Sequence, residues 1–141
     1  MLPQFGDPLA YVVDLIQDAF PAATVTGDPK IAQTGPFTVR RGSQFVFVQI
    51  QGGSTPSFLL QTNVRFEVIS YVWGDDDINP SVFAQQIERA FYLAAMDQRV
   101  FANGHARRPV TEVRPYHQAL QGLPANVFRH SGTYSIGYRS R

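Results

Sequence analysis

Two long segments with a two-residue apolar rhythm, Gln44–Gln51 and Phe58–Trp73, constrain this chain more than any other feature. In the first, Phe45, Phe47 and Gln49 alternate with Val46, Val48 and Ile50. In the second, Val64, Phe66, Val68, Ser70 and Val72 alternate with Arg65, Glu67, Ile69, Tyr71 and Trp73. Successive side chains of a strand point to opposite faces, so this rhythm reads as β structure. β-branched and aromatic residues dominate both segments, and Gly52-Gly53-Ser54-Thr55-Pro56 supplies a reversal between them. The pair predicts a long antiparallel hairpin at the centre of a sheet. Neither of its faces is cleanly polar, so both need cover, one from a helix and the other from another subunit.

The flanking chain supplies the helices. Asp7-Pro8 offers a capping side chain followed by a proline at the first helical position, where the missing N–H costs nothing. Leu9, Val12, Val13, Ile16 and Phe20 then form one apolar stripe, predicting a helix over residues 8–19 that Pro21 closes. Asn79-Pro80 repeats the start signal, and Val82 or Phe83, Ile87, Ala90, Phe91, Ala94 and Ala95 predict a second helix over residues 80–98. Short strands are expected at Ala23–Thr26, Phe37–Arg41 and Val110–Arg114, the last stopped by Pro115. The final strand material is Val127–Arg129 and Thr133–Tyr138. Lys30–Gly35 and residues 115–126 read as loops, and Asn103-Gly104 as a turn. The economical architecture is a single α+β domain spanning residues 1–141. It is a two-layer sandwich of a mostly antiparallel sheet, a long central hairpin and two helices packed on one face.

Its 141 residues suffice for one self-supporting core. The chain has no cysteine, which removes disulfides and thiolate metal sites. Neither a basic flank with a continuous apolar run at the N-terminus nor an apolar stretch of about 18 residues is present, so a soluble protein used without export is expected. The formal net charge of +1 is unevenly placed. Residues 1–33 set Asp7, Asp14, Asp18 and Asp28 against Lys30, whereas residues 104–141 set six arginines against Glu112. Arginine suits bidentate pairing with carboxylates at interfaces, and also suits phosphate.

Motifs for chemistry are sparse. His105, His117 and His130 match no compact metal-ligand spacing. Asp75, Asp77 and Asn79 imitate the start of a calcium loop, but Pro80 stands where glycine is needed and Gln86 where a bidentate glutamate is needed. No nucleophile elbow, phosphate-binding glycine loop or dinucleotide fingerprint occurs. The expectation is a non-enzyme without metal or cofactor. Arg107-Arg108 with Tyr116, Phe128, Tyr134 and Tyr138 admits single-strand nucleic-acid binding as an alternative. The near-neutral whole and the core-like alternation of those aromatics weigh against it. An apolar sheet surface with opposite charge at the two chain ends favours self-assembly through heterologous contacts instead.

The order of these segments resembles that of the tail terminator proteins of long-tailed bacteriophages. The resemblance is carried by the opening helix from Asp7 to Phe20, the segment Phe37-Thr38-Val39-Arg40-Arg41-Gly42 before Phe45–Ile50, and Val64–Trp73, whose Asp75-Asp76-Asp77 exit leads into an Ala-rich helix. Val100-Phe101-Ala102-Asn103-Gly104-His105, the loop from Leu123 to Arg129 and the closing stretch from Thr133 to Arg139 complete it. The resemblance implies a structural virion protein assembled in the host cytoplasm. It would form a ring, typically hexameric, that caps the tail tube, stops its polymerisation and presents the head-joining surface. Its implied partners are further copies of itself, the tail tube protein and a head–tail connector, with genome DNA passing through the ring. Another connector, such as a neck stopper, would share these features. Charge and loop position single out Arg40, Arg41, Asp75, Asp76, Asp77, Arg107 and Arg108 as candidate interface residues.

Overall fold

The computed structural model describes residues 7–54, 61–75 and 78–140. Three helices and five strands follow one another as α1 (Pro8–Ala19), β1 (Thr24–Thr26), α2 (Pro29–Thr34), β2 (Gln44–Ser54), β3 (Gln61–Trp73), α3 (Pro80–Met96), β4 (Gly104–Gln118) and β5 (Val127–Ser140), with a 3-10 turn over Gly35–Thr38. The strands make one sheet in the order β1-β2-β3-β5-β4. Only β1 runs parallel to its neighbour; every other pairing is antiparallel. The fold is thus the expected α+β sandwich.

Each helix starts on the same chemistry. Asp7 accepts from the Leu9 N–H, Asp28 from Lys30 and Asn79 from Ser81 and Val82, each followed by a proline that needs no partner. Asp28-Pro29 is therefore a helix start as well, and residues 30–34, expected as loop, are the body of α2. The strand expected at Phe37–Arg41 does not form. Thr38 Oγ1 donates to the Gly35 carbonyl, while Ser43 Oγ accepts from the Arg40 N–H and donates to the Arg40 carbonyl. These local bonds satisfy the backbone without a ladder.

The central hairpin is formed by β2 and β3, with Val46 opposite Ser70 and Val48 opposite Val68. Gly52, Gly53 and Ser54, expected in the reversal, are instead strand residues paired with Arg65, Val64 and Asn63 after a register shift that follows Ile50. Thr55 and Pro56 of the expected reversal lie outside the described residues, as do Phe58, Leu59 and Leu60 of the second predicted arm. One face carries Val46, Val48, Val64, Phe66, Val68 and Val72 into the main core, where α1 and α3 cover them. Phe66, Phe91 and Tyr134 meet there with ring centroids 5.2–5.8 Å apart. Tyr11 and Leu15 join Val12 and Ile16 in the buried face of α1, so that face is wider than the predicted stripe.

β4 is the largest departure from expectation. It runs from Gly104 to Gln118, straight through Pro115, and β5 is one continuous strand rather than two pieces. Pro115 is tolerated because β4 lies at the sheet edge and the β4–β5 register shifts between Val113 and Tyr116, where a missing N–H breaks no required bond. Pro109 sits at a second such shift, between Arg107 and Val110. The loop joining the two strands is confined to residues 119–126.

Phe66 is fully buried at the meeting point of β3, β5 and α3. Phe66→Ala is expected to lower unfolding free energy by about 3–5 kcal/mol in urea titrations, because the lost ring leaves a cavity that three elements cannot close together.

Candidate functional site

The sheet face away from α1 and α3 divides into two regions. At its Trp73 end, Phe45, Ile69, Tyr71 and Val127 are buried beneath Val39 and beside Phe47, Trp73 and Leu123. Gly35 makes this cover possible: it lies against the Phe45 ring so closely that a Cβ would collide with it. The chain's own segments therefore sheathe the part of the central hairpin that sequence reasoning assigns to another subunit.

The other end is open and follows the register. Successive rows across β3, β5 and β4 read Ile69–Ser131–Tyr116, Glu67–Thr133–Val113, Arg65–Ser135–Val110 and Asn63–Gly137–Arg107. The centre is polar: Ser131 Oγ donates to Glu67 Oε2 at 2.8 Å, and Arg65 Nε reaches over β5 to Glu112 Oε2 at 2.7 Å. The outer strand is apolar, with Val110, Val113 and Tyr116 exposed by 50, 40 and 47 %. This stripe is absent from the sequence reading because the assumed stop at Pro115 separates Tyr116 from the valines.

Beside the stripe, Arg129 stacks its guanidinium 5.9 Å from the Tyr71 ring centre. Burial raises the Tyr71 pKa above its ordinary value, with Arg129 opposing the shift. Arg107 and Arg108 lie at the open end, both exposed. Among the described residues the ion pairs are Arg41–Asp75, Arg65–Glu112 and Arg99–Asp18, so neither of these two arginines is paired to a carboxylate. The opposite, helical layer bears Asp14, Asp18 and Asp97 together with exposed Val82, Leu93 and Met96.

The predicted interface residues do not form one surface. Arg41 Nε lies 3.4 Å from Asp75 Oδ2, and Asp75 Oδ1 also accepts from the Ile78 N–H. Arg40 turns its guanidinium towards the carbonyls of Phe37 and Val39. Asp76 and Asp77 lie outside the described residues. Arg107 belongs to the Asn63 row, ten β3 residues from Trp73, which is about 33 Å of strand. Two charged groups thus sit at opposite ends of the sheet.

Two histidines do come together. His117 and His130 are cross-strand partners in the β4–β5 hairpin, with ring centroids 5.6 Å apart near Phe128 and the start of α3. Their spacing hides this, because it means nothing until the hairpin is known. Among the described residues no three His, Cys, Asp or Glu side chains converge as a metal cluster would require. No protein-family model matches the chain, and no curated protein matches it.

His130 is buried at 8 % exposure, and burial, with a lesser contribution from His117, lowers its pKa below the ordinary 6.5. The unfolded chain therefore takes up a proton at a pH where the native site still refuses it. The associated stability is complete above about pH 6.5 and declines as pH falls towards the lower native value, by at most about 1.4 kcal/mol per pH unit. Urea midpoints measured between pH 7.5 and 5 should show this decline, and His130→Gln should flatten it.

Proposed function

We propose that the protein is a structural component of a long-tailed phage virion, a tail terminator whose copies form a ring on the end of the tail tube. The observation that carries this reading is the exposed stripe Val110–Val113–Tyr116 on the outer edge of a basic sheet face, in a molecule whose helical layer is acidic and also exposes apolar side chains. Two unlike, complementary surfaces on one chain suit a head-to-tail contact, and such contacts close into a ring when the rotation permits. The assembly reading rests on β4 rather than on the central hairpin, whose outer apolar residues are covered at the Trp73 end.

β4 itself is poorly suited to pair with a further strand. Pro109, Pro115 and the register shifts interrupt its free edge, and Arg107, Arg108 and Arg114 add like charge, the means by which edge strands avoid indiscriminate pairing. Contact through the side chains of the open face is the better use of this surface. In the ring, Val110, Val113 and Tyr116 would bury against a neighbour's helical layer while Arg107 and Arg108 meet its aspartates. The ring would be built in the host cytoplasm and reside at the head-proximal end of the tail, between the tube protein and the head connector, with genome DNA passing through it. No helix among the described residues is long and apolar enough to cross a membrane.

Mass photometry of the purified protein tests the reading, with a discrete closed oligomer, six copies by the resemblance, as the expected outcome. Tyr116→Asp should convert it to monomer without lowering thermal stability, since the ring is already half exposed. Arg107→Glu with Arg108→Glu should weaken assembly more at low salt than at high salt. A wild-type protein that stays monomeric at every salt and protein concentration, even with tail tubes added, would refute the proposal. Tails made without the protein should be over-long; tails of normal length lacking heads would instead indicate a neck stopper.

A further inference from the structure

The last row of the open face holds a recess on each single copy, lined in part by the two arginines that the assembly reading turns towards a neighbour's aspartates. Asn63, Gly137 and Arg107 stand side by side across β3, β5 and β4, and the central position carries no side chain. A cavity of about 390 Å³ lies over it, lined by Asn63, Arg107, Arg108, Ser135, Ile136 and Gly137. The walls come from three strands, and their residues include two arginines, a serine and an asparagine.

The arginine wall is fixed by the backbone. The β4–β5 register passes from Arg107–Gly137 directly to Val110–Ser135, so Arg108 and Pro109 face Ile136 alone. That two-against-one arrangement is a bulge, a device that re-aims side chains beside functional sites. Arg108 adopts a left-handed backbone with φ of 50°, and Pro109 restrains the chain immediately after it. Consecutive strand residues ordinarily point to opposite faces; here both arginines line one cavity. Among the described residues neither arginine is paired to a carboxylate, so an anion in the recess would have both as partners.

We propose that this recess binds a phosphoryl oxyanion, either free phosphate or a phosphodiester of a nucleic-acid strand. A phosphate presents oxygens enough for both arginine forks and the Ser135 hydroxyl at once, whereas one carboxylate saturates a single fork. The volume leaves room for the sugar that a phosphodiester brings with it. This site does not depend on ring formation and is present on a single copy.

Titration of the full chain with inorganic phosphate, followed by amide chemical shifts, tests the site. Saturable shifts are expected at residues 107–110 and 135–137, with a dissociation constant on the order of 1 mM. Arg107→Gln with Arg108→Gln should weaken binding at least tenfold, while Arg114→Gln with Arg139→Gln removes the same charge outside the recess and should change it less than threefold. Equal losses in the two double variants, or shifts scattered over all basic surfaces, would overturn the site. Acetate binding as tightly as phosphate would overturn it in favour of a carboxylate such as a neighbouring copy presents. A short single-stranded oligodeoxynucleotide that binds more tightly than phosphate, with the same shifts, identifies the phosphodiester source; weaker binding identifies the free ion. Repeating the titration in the Tyr116→Asp background separates this site from assembly, because a monomer that still binds phosphate retains the recess whatever becomes of the ring.

Discussion

Contact among Phe66, Phe91 and Tyr134 joins the middle strand of the sheet to its neighbour β5 and to α3, and the rest of the molecule depends on that junction. A strand's side chains alternate strictly, so committing Phe66 inward forces Arg65 and Glu67 outward. The same commitment on β5 turns Tyr134, Ile136 and Tyr138 inward and sends Thr133, Ser135 and Gly137 out. The open face is thus the unavoidable reverse of the core. Its polar centre, with Glu67 bonded to Ser131 and Arg65 paired to Glu112, is what keeps a face without helices compatible with water.

The two ends of that face have different fates for a packing reason. At the Trp73 end, Gly35 lets the 3-10 turn settle onto Phe45, and Val39 and Leu123 close over Tyr71 and Ile69. Those residues then behave as a second, smaller core. Towards the Asn63 end no described segment covers the face, and the edge strand leaves Val110, Val113 and Tyr116 exposed beside Arg107 and Arg108, neither paired to a carboxylate among the described residues. A surface of this kind, apolar but rimmed with one sign of charge, is suited to a specific partner more than to indiscriminate association. The bulges and prolines of β4 reinforce the point, since they deny the simplest route to aggregation, strand upon strand.

Several elements were legible from residues alone because their causes are local. The helices expected over 8–19 and 80–98 announce themselves by cap, proline and apolar period, the second ending two residues early at Met96, and the β2–β3 alternation predicts which residues share a face. Asp28-Pro29 carried the same start signal but headed a helix of only six residues, too short for a periodic stripe to support it. Phe37–Arg41 has strand composition, yet Thr38 and Ser43 bond their own backbone first. Pro115 misled for the opposite reason: proline stops a central strand, and nothing in the neighbouring residues says that β4 is an edge.

Of the candidate site, sequence identified the charges but not their company. Arg41 and Asp75, singled out separately, are partners of each other, while Arg107 and Arg108 lie some ten strand residues away along the sheet. Helix ends, strand alternation and the division between acidic and basic thirds were determined by sequence, since capping, side-chain periodicity and charge are properties of neighbours along the chain. Strand order, the cover over Phe45 and Tyr71, the meeting of His117 with His130 and the arginine-walled recess over Gly137 were decided only in three dimensions. Each of these depends on which distant segments share a register, and that choice is made by the burial of the whole core at once.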